Sequence, residues 1–382
     1  MNLNVVFLGC TQGYGYNFSA CNTKVEFMAR GLSELGDICY IHNGPNGKIG
    51  LVSPQYRKMG GIGTIIDYPT KINWYVSPFF NYFLLVQDLK RWKQSNGHNI
   101  VILEAPYLPF YYLEVLAARQ VGYKIVVISH EWLGTFQCSN KIRRWILHRY
   151  SEIFGYCVDA ILPISEYIIQ RIKKFDKPYL KIPVLADFSH SPVLKVYELF
   201  FLYCVSAEYL RVIEVVITGF KLFYKQFPNY KLLLVLSGSQ NAIASVFSYI
   251  DQMELTHIVE IKYKLPYNEL KSLYSKASGL IVALNPDFEQ DKARFSQKIA
   301  EYLSSGSVLI SNNVGEIGYY FQNKKNIILD EYSSQGYYNS FRWIAEHPQE
   351  AQCIGRAGYE LGKKFFDYKI CGKQLHDFLS ML

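Results

Sequence analysis

Apolar and polar positions along the chain alternate between two periods. Short apolar runs that read as buried strands fall at 4–8, 38–41, 100–103, 124–128 and 160–162. Stretches with the helical repeat lie between them, near 23–35, 78–95, 108–121, 141–150 and 165–175. In the first of these, Thr23 and Glu26 have the spacing of a capping box, and Val25, Met28, Ala29, Leu32 and Leu35 share one face. Residues 44–77 are irregular, with Gly60-Gly61 and several short β-like runs. Periodicity breaks over Pro178, Pro183, the run from Asp187 to Ser191 and Pro192, where an interdomain linker is expected. Alternation then resumes. Strands are expected at 199–205, 232–236, 258–262, 280–284, 308–311 and 326–329, with helices at 209–226, 240–253, 267–276, 295–306, 332–346 and 348–365.

Strand–helix alternation of this kind builds parallel sheets covered by helices on both faces. The pattern therefore predicts two doubly wound, Rossmann-like domains, 1–187 and 193–365, facing each other across a cleft. A last helical segment, 366–382, follows them. A glycine loop (Gly9, Gly13, Gly15) succeeds the first strand. Its spacing departs from GxGxxG, and His42-Asn43 stands where a dinucleotide fold carries a ribose-binding acid. A dinucleotide site is not expected, but close approach of a phosphate or sugar to the loop backbone is.

Composition narrows the class. With 50% hydrophobic and 19% charged residues the chain is a packed globular protein, not a disordered one. A net charge of +8 favours an anionic partner, such as a nucleotide diphosphate or an acidic membrane. Nucleic acid is not expected, because the charge is gathered into no tail or known module. The 32 Tyr and 24 Phe suit a core, a sugar-stacking surface or an interfacial belt, and composition does not choose among them. Eight scattered cysteines form no CxxC pair and no zinc-spaced Cys/His motif, which fits free thiols in a reducing cytosol. No signal peptide and no run long enough to span a bilayer is read. Lys141, Arg143, Arg144 and Arg149 interleave with Trp145, Ile146, Leu147 and Tyr150. That pattern fits either a helix lying on an acidic membrane surface or a solvated basic face on a core helix.

The chemistry concentrates around Phe295–Gly306. Phe295, Ile299 and Leu303 line one helical face, Ser296 can cap the first turn and Gly306 can end the helix with positive φ. Gln297, Lys298 and Glu301 are neighbours on the polar side. A crossover helix between two buried strands points its N-terminus at the ligand edge of the sheet, where a phosphate is favoured. Read on spacing alone, it is first of all an ordinary crossover helix with a solvated Lys/Glu face.

The run F-S-x-K-I-x-E-Y-L-x-x-G, followed by Val308-Leu309-Ile310-Ser311-Asn312-Asn313-Val314-Gly315-Glu316, resembles retaining glycosyltransferases of the GT-B fold, family 4. Ile164-Ser165-Glu166 and Pro183-Val184-Leu185-Ala186-Asp187 are similar to that family's route out of its first domain. The resemblance implies transfer of a sugar from a nucleotide-diphosphate sugar to a saccharide or lipid-linked acceptor, in surface polysaccharide assembly at the cytoplasmic membrane face. Metal and cofactor are not implied. Glu301 matches the second acid of the family's glutamate pair, which holds the ribose; the first falls at Ala293. Of Asp287, Glu289 and Asp291 just before it, Glu289 is the candidate to face the donor sugar. His130 falls where the family keeps a histidine beside the transferred sugar, and Glu104, also past a strand end, is a candidate for the acceptor. Val205–Val212 lacks the family's cations and glycines, leaving Arg211 and Lys298 to neutralise the diphosphate, with Gly13, Gly15, Gly238 and Ser296 along the donor. The closing segment 366–382 would cross back to the first domain.

Three rivals remain at this level. Asp287, Glu289 and Asp291 could bind a divalent ion in a metal-dependent transferase. A nucleotide-sugar epimerase would use the same fold without an acceptor. A degenerate relative could bind a partner or glycolipid through its basic, aromatic face.

Overall fold

The computed structural model describes residues 2–10, 20–43, 54–68, 77–95, 97–104, 110–136, 140–190, 198–263 and 265–382. The chain forms two compact units: Met1–Leu185 with Ala293–Phe295 and Phe366–Leu382, and Ala186–Lys292 with Ser296–Phe365.

The first unit runs β1 (Leu3–Cys10), α1 (Ala20–Glu34), β2 (Ile38–Asn43), β3 (Gln55–Met59), β4 (Gly63–Asp67), α2 (Ser77–Trp92), β5 (His98–Glu104), α3 (Phe110–Val121), β6 (Lys124–Ser129), α4 (Lys141–Ile153), β7 (Ala160–Pro163) and α5 (Glu166–Ile172). Its sheet order is β3-β4-β2-β1-β5-β6-β7. Consecutive residues Val5, Val6, Phe7 and Leu8 are all buried, so both faces of β1 are covered, as a central parallel strand requires. Val5 pairs with Cys39 on one side and Ile100 on the other. Among the described strands only β3 runs antiparallel, as the edge partner of β4, and both fall within the irregular stretch 44–77. The strand order reverses at β1, which puts the ligand crevice beside the ends of β1 and β5. There Gly9 has φ +83° and an added Cβ would lie 2.2 Å from the Glu104 carbonyl oxygen, so only glycine fits.

The second unit runs β8 (Glu198–Ser206), α6 (Leu210–Tyr224), β9 (Lys231–Ser237), α7 (Gln240–Gln252), β10 (Val259–Tyr263), α8 (Tyr267–Lys276), β11 (Ala277–Val282), α9 (Glu289–Ala293), α10 (Gln297–Ser305), β12 (Leu309–Ser311), α11 (Ile317–Tyr320), β13 (Ile328–Leu329), α12 (Ser334–Glu346) and α13 (Pro348–Phe365). Its six strands are parallel in the order β10-β9-β8-β11-β12-β13, with the reversal at β8. Aromatic residues fill this core. The Phe201 ring lies 4.5 Å from Phe341 and 5.6 Å from Phe223, centroid to centroid. Much of the chain's phenylalanine is thus explained by packing.

The chain ends in α14 (Tyr368–Ser380), which lies on α1 in the first unit. The two helices touch at glycines: a Cβ on Gly372 would meet Gly31 Cα at 2.7 Å. Tyr368, Cys371, Leu375 and Leu379 join β1, β2, β5 and α1 in one apolar core.

Two expected caps differ. α1 begins at Ala20, so Thr23 lies inside the helix and is buried rather than capping it. Ser296 occupies the N-cap position of α10, but its side chain makes no cap hydrogen bond; Gly306 does end the helix, at φ +76°.

Candidate functional site

In the second unit, the polar side of α10 is not a solvated face. Glu301 is buried, and its Oε2 accepts from Lys298 Nζ at 2.8 Å and from the Tyr274 hydroxyl at 3.4 Å. Lys298 Nζ also lies 3.1 Å from that hydroxyl. α8 delivers Tyr274 because Leu270 and Tyr274, one turn apart, are its buried positions. The Tyr274 ring packs edge-on against Tyr302, whose hydroxyl accepts from the backbone N–H of Cys204, near the end of β8. Burial works against the charged form of Lys298, but the Glu301 carboxylate outweighs it and the amine's pKa is raised. The result is a fixed cation–carboxylate pair under the edge of β8.

At the same sheet edge Gly238 takes φ +121°, beside Ser206 and Ala207. The exposed carboxylate of Glu208 accepts from the Ser239 N–H at 3.1 Å and hydroxyl at 2.7 Å, and these hydrogen bonds hold its pKa below the usual value. Ser239 is the N-cap of α7, so a protein carboxylate occupies the helix end that would favour a phosphate. Arg211 is exposed in the first turn of α6. Of the three acids before α10, Asp291 is buried and accepts from the Asn285 N–H at 2.8 Å, while Glu289 is exposed and paired with Lys292 at 3.4 Å. Among the described residues they form no metal-ligand set. Ala293 is fully buried.

The first unit gathers a second cluster at the ends of β5 and β6. His130 Nε2 lies 3.8 Å from Glu104 Oε1, too far for a hydrogen bond, with both side chains largely buried. Cys21, from the first turn of α1, sends its thiol to Glu104; burial and then that carboxylate push its pKa up. Lys24, one turn on, is buried and donates to the Ile182 carbonyl at 2.7 Å. Burial pushes its amine down to about 7. Glu114 of α3 is pushed up to about 8 by burial and by Glu104. Burial, then Lys24, hold His130 well below the usual imidazole value. At neutral pH the imidazole is therefore neutral.

Sequence pattern therefore names Glu104 and His130, which meet, and Lys298 and Glu301, which meet. Gly13 and Gly15 lie outside the described residues. The pattern passed over Tyr274, Cys21, Lys24 and Glu114. Helical register carried part of the signal, since Cys21 shares a face with Val25, Met28 and Leu32, and Lys24 with Met28.

α4 presents a further surface. Tyr150 and Ser151 are its buried residues, whereas Ile142 and Trp145 are 71% and 65% exposed beside Lys141, Arg143, Arg144 and Arg149. No helix of the described residues is long and apolar enough to cross a membrane.

The sequence matches no protein-family model and no curated protein. The fold does have solved counterparts. Sucrose-phosphate synthase from Thermosynechococcus elongatus is similar with a TM-score of 0.76 at 14% identity, over 100% of this chain and 99% of that one. Anabaena HepE, in complex with UDP and glucose, gives 0.75 at 12% identity over 100% of both chains. The UDP-forming α,α-trehalose-phosphate synthase from Burkholderia vietnamiensis gives 0.70 at 10% identity, over 100% and 97%. The chain thus has the fold of the GT-B glycosyltransferases.

Proposed function

We propose that this protein is a retaining glycosyltransferase of the family 4 type. It moves a sugar from a nucleotide-diphosphate sugar to a saccharide or lipid-linked acceptor, in surface polysaccharide assembly at the inner face of the cell membrane. The Lys298–Glu301–Tyr274 cluster carries this reading, because a fixed carboxylate beside a fixed cation is what a ribose diphosphate needs. Complexes of a similarly folded protein with UDP and glucose support it. Glu301 accepts from the ribose hydroxyls. Lys298 and Arg211 offset charge gained by the departing diphosphate. With the first family acid replaced by Ala293, Glu289 is the carboxylate assigned to the donor sugar, and His130 and Glu104 hold the acceptor side.

The acceptor hydroxyl attacks the anomeric carbon from the face that the diphosphate leaves. The carbon–oxygen bond to phosphate breaks as the new glycosidic bond forms, and the departing phosphate oxygen takes the hydroxyl proton. Configuration is retained, and fixed cations make a metal ion unnecessary to the step.

A thermal-shift screen of nucleotide sugars tests the assignment. One donor should stabilise the protein by about 2.7 kcal/mol at a hundredfold excess over its Kd. Lys298→Met with Glu301→Gln should abolish that shift and cut transfer at least about a hundredfold. Full transfer by the double variant would remove α10 from the donor site.

A further inference from the structure

Ligand atoms of Cys21, Glu104 and His130 all lie within 4.8 Å of one another, although the three residues come from α1, β5 and the loop after β6. Two of the three supports are adjacent parallel strands, with Glu104 paired to Ile128 two residues before His130. Around a tetrahedral ion with bonds of about 2.0–2.3 Å, ligand atoms stand roughly 3.3–3.8 Å apart. The His130 Nε2 to Glu104 Oε1 separation of 3.8 Å is already of that size. Independently, His130 Nε2 is closed off from solvent and has no hydrogen-bond partner among the described residues. A buried nitrogen left so is costly, and a metal bond would satisfy it. Lys24 carries the nearby positive charge, and its Nζ is directed at the Ile182 carbonyl.

We infer that Cys21, Glu104 and His130 form a binding site for a divalent cation of the zinc class, with its fourth position open. Thiolate, imidazole and carboxylate together suit zinc, whereas magnesium and calcium take oxygen ligands. On binding, the Cys21 thiol gives its proton to solvent, and the thiolate and carboxylate balance the charge of the ion. The site is separate from any need of the transfer step for metal. A second consequence rests on the transferase reading above: an ion on His130 removes that imidazole from the sugar, so zinc inhibits transfer.

The experiment uses the purified full chain, stripped of metal, with Zn2+ titrated against a chromogenic chelator and Co2+ as a spectroscopic substitute. One equivalent of zinc should bind, and cobalt should give a thiolate-to-metal charge-transfer band, while Mg2+ does not compete. Cys21→Ser and His130→Gln should each weaken zinc binding at least about tenfold. Cys353→Ser, at an exposed thiol on α13, should not. Circular dichroism checks folding of each variant; should Cys21→Ser fail to fold, the wild-type cobalt band and His130→Gln decide. Absence of stoichiometric binding, or binding unchanged in the folded variants, overturns the site. Zinc should also inhibit transfer by the wild type but not by Cys21→Ser, and equal inhibition of both overturns the inhibitory role. Zinc binding without any sugar transfer would leave the site standing and sink the transferase reading, and transfer without zinc binding would do the reverse.

Discussion

Lys24 shows how a single buried charge leaves a signature on the whole fold. Its amine is pushed from 10.5 to about 7 by burial, against the raising influence of Cys21, Cys371 and Glu104. Between about 7 and 10.5 the unfolded chain holds a proton that the folded chain has released, so stability rises with pH across that window. Below it both states are protonated, and the folded state bears the full cost of a buried ammonium, on the order of 5 kcal/mol. Glu114 works in the opposite sense. Burial and Glu104 raise it from 4.5 to about 8, so between those values the folded state keeps a proton the unfolded state has lost, and stability falls as pH rises. Between about pH 7 and 10.5 the slope of the denaturant midpoint against pH should therefore be less positive in Lys24→Met than in the wild type, a comparison in which Glu114 and the buried thiols cancel. An unchanged slope would mean that Lys24 is not buried as described. At this scale the sequence was half legible. Register places Cys21 and Lys24 on the inner face of α1, but what they meet comes from strands far along the chain. Glu301 is the converse: helical spacing puts it with the polar residues, and it takes Tyr274 from another element to join it in a buried contact beside Lys298.

Elements were the most readable level, because a period of two or of 3.6 is local information. Strands and helices of the second unit follow their apolar repeats closely, α8 at 267–276 among them. Ends were read less well. Thr23 had the spacing of a cap but lies within a helix that starts earlier, since a capping box competes with tertiary burial of the preceding turn. Helix α4 leaves the sharpest element-scale question, and here the structure adds what spacing could not. A basic face alone is compatible with any solvated helix. Ile142 and Trp145 standing largely in solvent beside four basic residues suit an anionic lipid surface, where apolar side chains enter the interface and Arg and Lys meet headgroups. The full chain should pellet with vesicles containing anionic lipid and not with neutral ones, and salt should weaken the association. Ile142→Ser with Trp145→Ser should reduce it about tenfold, while stability changes by only about 0.5 kcal/mol because both side chains are exposed. Pelleting that ignores the double substitution would assign α4 to the bland reading of a solvated face.

For the whole molecule, the consequential feature is that the first unit is completed by residues from the far end of the chain. Its β1, α1 and β5 are made early, yet α14 supplies Tyr368, Cys371, Leu375 and Leu379 to the same apolar core. Contact there is backbone-close, with Gly31 and Gly372 allowing the helices to touch. Tyr368 also donates to Glu34 at 2.5 Å, and His376 Nδ1 lies 2.7 Å from Asp37. Burial worth roughly 1.5–3 kcal/mol for each large apolar side chain is comparable in sum with a net domain stability of about 5–15 kcal/mol. The second unit has a core of its own, built from Phe201, Phe220, Phe223, Phe341 and their neighbours within 198–365. Truncation after Phe365 should therefore act on one unit. Amide hydrogen exchange should rise throughout β1, β2, β5 and α1, while β8, β9 and β11 keep their protection. In the truncated chain, the nucleotide sugar found by the thermal-shift screen should still slow exchange around Cys204, Tyr274 and Lys298–Glu301. Loss of protection in both units together would show that the second core depends on the first. Loss of the donor effect alone, with the second unit still protected, would mean that the donor needs residues outside it.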